Sequence, residues 1–214
     1  MNPGPKTIKI AVLISGDGSN LQALIDACKN PEYPADIAVV ISNKAEAKGL
    51  KRAQTADIET HIISHQDHDG RDAFDAALIE KLRQYDVDLI CLAGFMRILT
   101  PLFIKAFNGR ILNTHPSLLP LHGGEGMYGM NVHKAVLAAG DETSGCTIHK
   151  VIEDVDRGPI VLQTEVPVQA DDKAEDLAAR VLEQEHIAYP EAVRMIAEEI
   201  LGNKGTHYGV SRTS

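Results

Sequence analysis

Between residues 8 and 115 the chain alternates between short, almost unbroken apolar runs and stretches with helical spacing. The runs are IKIAVLIS (8–15), DIAVVIS (36–42), THIIS (60–64), VDLICLAGF (87–95) and ILNTH (111–115). Helical patterns fill 19–30, 46–56, 72–86 and 100–108; within 72–86, Phe74, Leu78 and Leu82 share one face. A strand that is apolar along its length is hidden on both sides, and intervening helices supply the cover. The pattern predicts an α/β fold: a Rossmann-like, open, mostly parallel sheet with helices on both faces. SGCTIHKV (144–151) and PIVLQTEVPV (159–168) follow with no helix between them, which predicts an antiparallel edge pair near the C-terminus. A helix is expected over about 173–200, interrupted at Pro190. Residues 1–200 read as one domain and 201–214 as a flexible tail with little apolar pattern.

In sheets of this kind ligands lie at the carboxyl ends of the strands. That rule selects Ser15 to Asn20, Gly94 to Arg97 and Asn113 to His115. Asn113 and His115, two apart on a strand, point the same way, and Pro116 holds His115 extended. An amide can donate to a developing oxyanion, and an imidazole can move a proton near neutral pH. A carboxylate would orient that imidazole; the candidates are Glu153, Asp154 and Asp156 in the turn EDVDRGP. In ISGDGSN (14–20), glycines between a strand and a helix present backbone amides to an anion. Leu21 replaces the third glycine of a dinucleotide fingerprint, and the second strand ends in Ser42-Asn43-Lys44 with no acid for a ribose diol. A phosphate monoester therefore fits better than a nicotinamide cofactor. The plainer alternative is a tight turn with Ser19 or Asn20 as helix cap.

The other histidines are weaker signals. His61, His65 and His68 fall in a strand-then-loop pattern, which argues against a metal site. His133 opens a helical pattern and His149 lies on a strand. Arg71, at a helix start where an acid would be favoured, hints at a ligand role. A net charge of −9 over 214 residues disfavours a nucleic-acid binder. Three cysteines without CxxC spacing suggest reduced thiols and a cytoplasmic protein. No apolar stretch approaches the roughly 18 residues of a membrane helix.

Six segments together resemble the phosphoribosylglycinamide formyltransferases, folate-dependent enzymes of purine biosynthesis. They are VLISGDGSNLQALID, ISNKAEAKGLKRA, LAGFMRILTP, ILNTHPSLLP, DRGPIVLQTEVPV and EQEHIAYPEAV, in the family's order, and the resemblance spans about residues 7–200. HPSLLP alone is shared by several 10-formyltetrahydrofolate enzymes. The resemblance implies a formyltransferase fold and transfer of a formyl group from 10-formyltetrahydrofolate, as co-substrate and without a metal, to the glycinamide amine. It implies catalytic roles for Asn113, His115 and Asp156. It places the ribonucleotide on Gly18, Ser19, Asn20 and Glu185, and the folate on Arg71, Met96, Arg97, Ile98, Leu99, Asn113, Ile152, Glu153, Asp154, Val155 and Asp156. The N-terminal half would then serve the ribonucleotide and the C-terminal half the folate, in a monomer or homodimer whose partners are small molecules rather than membrane or nucleic acid.

Two departures stand out. LHGGEGMYGMNVHKAV after HPSLLP is longer and richer in glycine than the family's segment, and DRGP replaces DGGP, removing a permissive glycine at Arg157. The rivals are a methionyl-tRNA formyltransferase, expected to carry a further basic domain, and a formyltetrahydrofolate hydrolase, expected to carry a preceding regulatory domain. A non-catalytic phosphate-binding α/β module is the rival of a different class.

Overall fold

A computed structural model describes residues 6–206. The chain runs β1 (Ile8–Ile14), α1 (Ser19–Cys28), β2 (Ala35–Ser42), α2 (Lys48–Thr55), β3 (Thr60–Ile62), α3 (Arg71–Arg83), β4 (Leu89–Leu92), α4 (Pro101–Ala106), β5 (Ile111–His115), α5 (Met130–Ala139), β6 (Thr143–Lys150), β7 (Ile160–Pro167) and α6 (Ala174–Thr206). The seven strands form one sheet in the order β3-β2-β1-β4-β5-β6-β7. The first five are parallel; β6 is antiparallel to β5 and β7 to β6.

The period-two alternation of β1 divides the core. Ile8, Ile10, Val12 and Ile14 pack with Leu21, Leu24, Leu50, Val136, Leu177 and Val193 on one face. Ala11 and Leu13 join Phe74, Leu78, Leu82 and Phe103 on the other. Helices α1, α2, α5 and α6 thus cover one side and α3 and α4 the other, which is why β1 and β4 carry no exposed polar face.

Strand β4 is shorter than the apolar run 87–95, because Gly94 turns the chain at φ 70°. Before that turn, Ala93 N–H donates to Leu13 O; after it, Ser15 N–H donates to Gly94 O, so β1 and β4 end together. The chain moves outward from β1 to β3, then returns to the far side of β1 as β4. That reversal is the switch point where an open sheet leaves a crevice.

Helix α6 passes through Pro190 and ends at Thr206, six residues later than expected. Leu201, at the expected start of the tail, packs against the main core and extends the helix. Residues 207–214 of the expected tail lie outside the described residues. Around Pro190, which has no N–H to continue the ladder, the helix is tied down by two tyrosines. Tyr33 donates to Pro190 O at 2.7 Å. The buried hydroxyl of Tyr189 lies 3.1 Å from Leu92 O and 3.2 Å from Leu112 O, pinning α6 beneath the ends of β4 and β5. Among the described residues no helix is long and apolar enough to cross a membrane.

Candidate active site

A cleft of about 980 Å³ opens at the carboxyl ends of β1, β4 and β5. Asn113 and His115 reach it from β5, whose antiparallel partner sets Asn113 opposite His149 and His115 opposite Thr147. Asp156 arrives from the turn between β6 and β7. Its Oδ2 lies 3.5 Å from His115 Nδ1 and its Oδ1 3.5 Å from His149 Nε2. Gly124 N–H donates to Oδ2 at 2.9 Å. Asp156 also adopts φ 55°, a left-handed conformation that aspartate tolerates better than most residues.

The imidazole of His115 is nearly enclosed, and its Nε2 is 2.8 Å from the carbonyl of His122. A carbonyl only accepts, so Nε2 carries a hydrogen and Nδ1 faces the carboxylate. Burial pushes the His115 pKa below the ordinary histidine value; Asp156 and the His122 carbonyl oppose that push. For Asp156, burial acts to raise the pKa, but the His149 ring, the Gly124 N–H and His115 together hold it below the usual carboxylate value. The site therefore sets a carboxylate whose pKa is held down against an imidazole whose pKa burial depresses and that carboxylate partly restores. His149 Nδ1 donates to Lys150 O at 3.2 Å, which aims Nε2 at the Asn113 amide 3.2 Å away.

The opposite wall holds Glu185. Asn20 Nδ2 donates to its Oε2 at 2.9 Å and Thr114 Oγ1 to its Oε1 at 3.0 Å. Burial raises the Glu185 pKa against those two hydrogen bonds. Asn20 Oδ1 is buried without a protein partner. Neither Ser19 nor Asn20 caps α1: the N-cap is Gly18, at φ 73° and with no side-chain hydrogen bond, so the capping alternative does not hold. A Cβ on Gly18 would lie 2.6 Å from Gly49 Cα, so glycine is required for the turn to pack on α2.

Of the expected ribonucleotide residues, Asn20 and Glu185 line the cleft, whereas Gly18 and Ser19 lie outside its lining. The expected folate residues Arg71, Met96, Arg97, Ile98, Leu99, Ile152, Glu153 and Val155 line it; Asp154 does not, its carbonyl instead accepting from Arg157 N–H to close the turn. Arg71 donates to Ile98 O at 2.8 Å, so the misplaced arginine at the start of α3 braces the 96–99 loop. Ser15 Oγ accepts from Met96 N–H at 2.7 Å and donates to Asn43 Oδ1 at 2.6 Å, fixing the same loop from β1. Glycine at 157 is not needed, because the left-handed residue of the turn is Asp156. Gly158 is the position with no room: a Cβ there would lie 1.7 Å from Lys150 O.

His149, His122 and Gly124 were not among the expected site residues, and Thr114 entered only as part of the Asn113 to His115 strand end. His149 becomes legible only through the β5–β6 register, and His122 and Gly124 contribute backbone atoms that no residue type announces. His61 and His68 are occupied in hydrogen bonds to Glu59 and Tyr85 and to Ser64 O, and His65 contacts Asn43. Among the described residues no group of three or more His, Cys, Asp or Glu side chains has an arrangement that could hold a metal ion.

His133, beside the cleft on α5, is depressed in pKa by burial and by the neighbouring His115. A histidine whose folded pKa lies below its unfolded value binds fewer protons folded than unfolded. Its effect is a loss of stability as pH falls through the unfolded value of 6.5. Glu185, raised by burial, acts in the opposite sense at lower pH. The expected result is that wild type loses more melting temperature than His133→Asn between pH 7.5 and 5.5; equal losses would contradict the assignment.

The fold is a doubly wound sheet whose switch-point cleft brings an amide, an imidazole and a carboxylate together, and the relatives that it matches are α/β transferases. The chain belongs to the Formyl transferase family, whose model matches residues 8–193. It is 46% identical over 191 residues to phosphoribosylglycinamide formyltransferase of Escherichia coli (strain K12), covering 89% of this chain and 88% of that protein. It is 49% identical over 193 residues to the trifunctional purine biosynthetic protein adenosine-3 of Bos taurus, covering 90% of this chain but spanning only 19% of that longer relative. Glycinamide ribonucleotide transformylase 1 of Symbiobacterium toebii superposes with a TM-score of 0.86 at 47% identity, over 90% of this chain and 89% of that one.

Proposed function

We propose that this protein transfers the formyl group of 10-formyltetrahydrofolate to the glycinamide amine of 5'-phosphoribosylglycinamide, a step of purine biosynthesis. The observation that carries the reading is the convergence of Asn113, His115 and Asp156, remote in sequence, in one cleft beside Glu185. The likeness to the E. coli enzyme over nearly its whole length supports the same acceptor.

The cleft suits both substrates. Phe95, Met96, Ile98, Leu99 and Ile104 give one end an apolar wall for a flat pterin, while Arg97 and the turn residues Ile152, Glu153, Val155 and Asp156 line the cleft beside it and add polar groups. Glu185, held by Asn20 and Thr114, accepts hydroxyl hydrogens of the ribose, and the start of α1 at Asn20, which lines the cleft just past the Gly18–Ser19 turn, is the place for the phosphate.

In the reaction the amine nitrogen attacks the formyl carbon, and the carbonyl electrons move to oxygen. Asn113, whose amide has a second hydrogen beyond the one facing His149, donates to that oxyanion. His115 takes up a proton at Nδ1 as the negative charge develops, and Asp156 stabilises the imidazolium so formed. Collapse of the adduct breaks the bond to the folate N10, which leaves with the proton lost by the attacking amine. Asp156 and His115 pass that proton between the two nitrogens. An amine is already a competent nucleophile, so no covalent enzyme intermediate is required.

The test is purified protein with 10-formyltetrahydrofolate and either phosphoribosylglycinamide or water as acceptor. Rapid folate release that depends on the ribonucleotide is the expected result. Equal release without it would mark a hydrolase, and no release under either condition a binding module.

A further inference from the structure

The glycine-rich segment after HPSLLP is the part of the sequence that the reaction above leaves without a role. Within it, residues 122–124 touch both members of the acid–base pair. His122 O accepts from His115 Nε2 at 2.8 Å, and Gly124 N–H donates to Asp156 Oδ2 at 2.9 Å. Between them Gly123 is tightly placed: a Cβ would lie 2.4 Å from Leu119 Cδ2, which would have to shift, and 3.3 Å from Asp156 Cβ. The tripeptide is thus pressed against the pair it hydrogen-bonds.

What holds the tripeptide there is a side-chain contact on its outer face. His122 adopts φ 50°, a left-handed conformation that a non-glycine residue holds only when its surroundings compensate. Its Nε2 lies 2.6 Å from Asp141 Oδ2, the acid that follows α5. Ser117 adds a donor from the chain before the segment, 2.7 Å from Leu121 O and 3.5 Å from His122 O. Neither His122 nor Asp141 lines the cleft, so neither touches substrate.

From this geometry we infer that His122 and Asp141 are positioning residues, which clasp the 122–124 backbone so that the His122 carbonyl keeps the hydrogen of His115 on Nε2. The consequence for His115 is chemical. With Nε2 committed to a carbonyl, Nδ1 is the only ring nitrogen left to gain a proton, and it faces Asp156. A slack carbonyl would let the ring populate the other tautomer, with the Nδ1 hydrogen directed at the carboxylate and Nε2 free. That ring cannot take up its proton beside Asp156. The inference rests on the catalytic reading of His115, but its first readout does not.

Asp141 is about one-third exposed, so its truncation is compatible with folding. The experiment compares wild type with Asp141→Ala and Asp141→Asn in the full chain. Ring 15N NMR of the ligand-free protein reports the tautomer of His115, assigned by its absence in His115→Ala. Wild type is expected to show hydrogen on Nε2, Asp141→Ala a mixture of tautomers, and Asp141→Asn the wild-type pattern, because an amide oxygen still accepts from His122. In steady-state assays Asp141→Ala is expected to lower kcat about ten-fold with KM for both substrates within about two-fold, and Asp141→Asn to recover most of it. An unchanged tautomer in Asp141→Ala would overturn the inference, as would a mixed tautomer with wild-type kcat. Should wild type itself show no formyl transfer, the failure is that of the proposed reaction, and the NMR comparison still decides whether the clasp sets the tautomer. If Asp141→Ala does not fold, Gly123→Ala probes the same backbone from the other side, with the same expected tautomer mixture.

Discussion

Asp156→Asn is expected to lower kcat about a thousand-fold, within the range for losing a positioned acid–base group, with a melting temperature within a few degrees of wild type. The asparagine keeps an oxygen for the Gly124 N–H and tolerates the left-handed backbone at φ 55°. What it removes is the negative charge facing His115 Nδ1 and His149 Nε2. Without that charge, burial is left to depress the His115 pKa further, and the imidazolium that forms beside the oxyanion loses its counter-charge. The acid side of the stability profile carries a matching signature. Because the Asp156 pKa is lowered on folding, its contribution is present above the ordinary value of 3.8 and lost as pH falls through the folded value. In Asp156→Asn that share of the acid-side loss disappears. Steady-state assays and melting curves from pH 3 to 8 measure both; a variant with more than a tenth of wild-type kcat would remove Asp156 from the mechanism.

His115→Ala is expected to reduce kcat by about a hundred- to ten-thousand-fold while ribonucleotide affinity stays within a few-fold of wild type. The two effects separate because the structure separates the groups. His115 bonds to the 122 carbonyl and faces Asp156, whereas Glu185 is held by Asn20 and Thr114. Isothermal titration with phosphoribosylglycinamide checks the binding, and single-turnover rates check the chemistry. Groups that act as one unit give non-additive losses, so the double variant with Asp156→Asn should be little slower than either single one. Near-normal single-turnover rates in His115→Ala would contradict its assigned role.

The sheet was legible because β1, β2 and β4 are buried on both faces and read as unbroken apolar runs, and because β6 and β7 follow one another without a helix. Asn113 and His115 were legible for a related reason: a polar pair at the end of a buried strand has to face something. Asp156 was one of three acids in its turn; the residues alone left the choice open, the family resemblance pointed to it, and the fold sets it 3.5 Å from His115 and His149. DRGP lacks the permissive glycine at 157, and the left-handed backbone at Asp156 shows why 157 needs none. The end of α6 was set too early, since the sparse apolar pattern after residue 200 suggests a stop where the packing of Leu201 extends the helix. Least legible were the backbone groups of His122 and Gly124, since a carbonyl or amide has no residue type to betray it.

The hydrogen bond between Asn20 and Glu185 spans 165 positions of chain. During synthesis the first strand and its turn emerge long before the residue that completes their wall, and Tyr189 reaches β4 and β5 later still. Contacts of such separation are slow to close and reward the chain only near the end. A chain still being synthesised therefore cannot join Asn20 to Glu185, and so cannot close this wall of the cleft, until α6 has emerged from the exit tunnel.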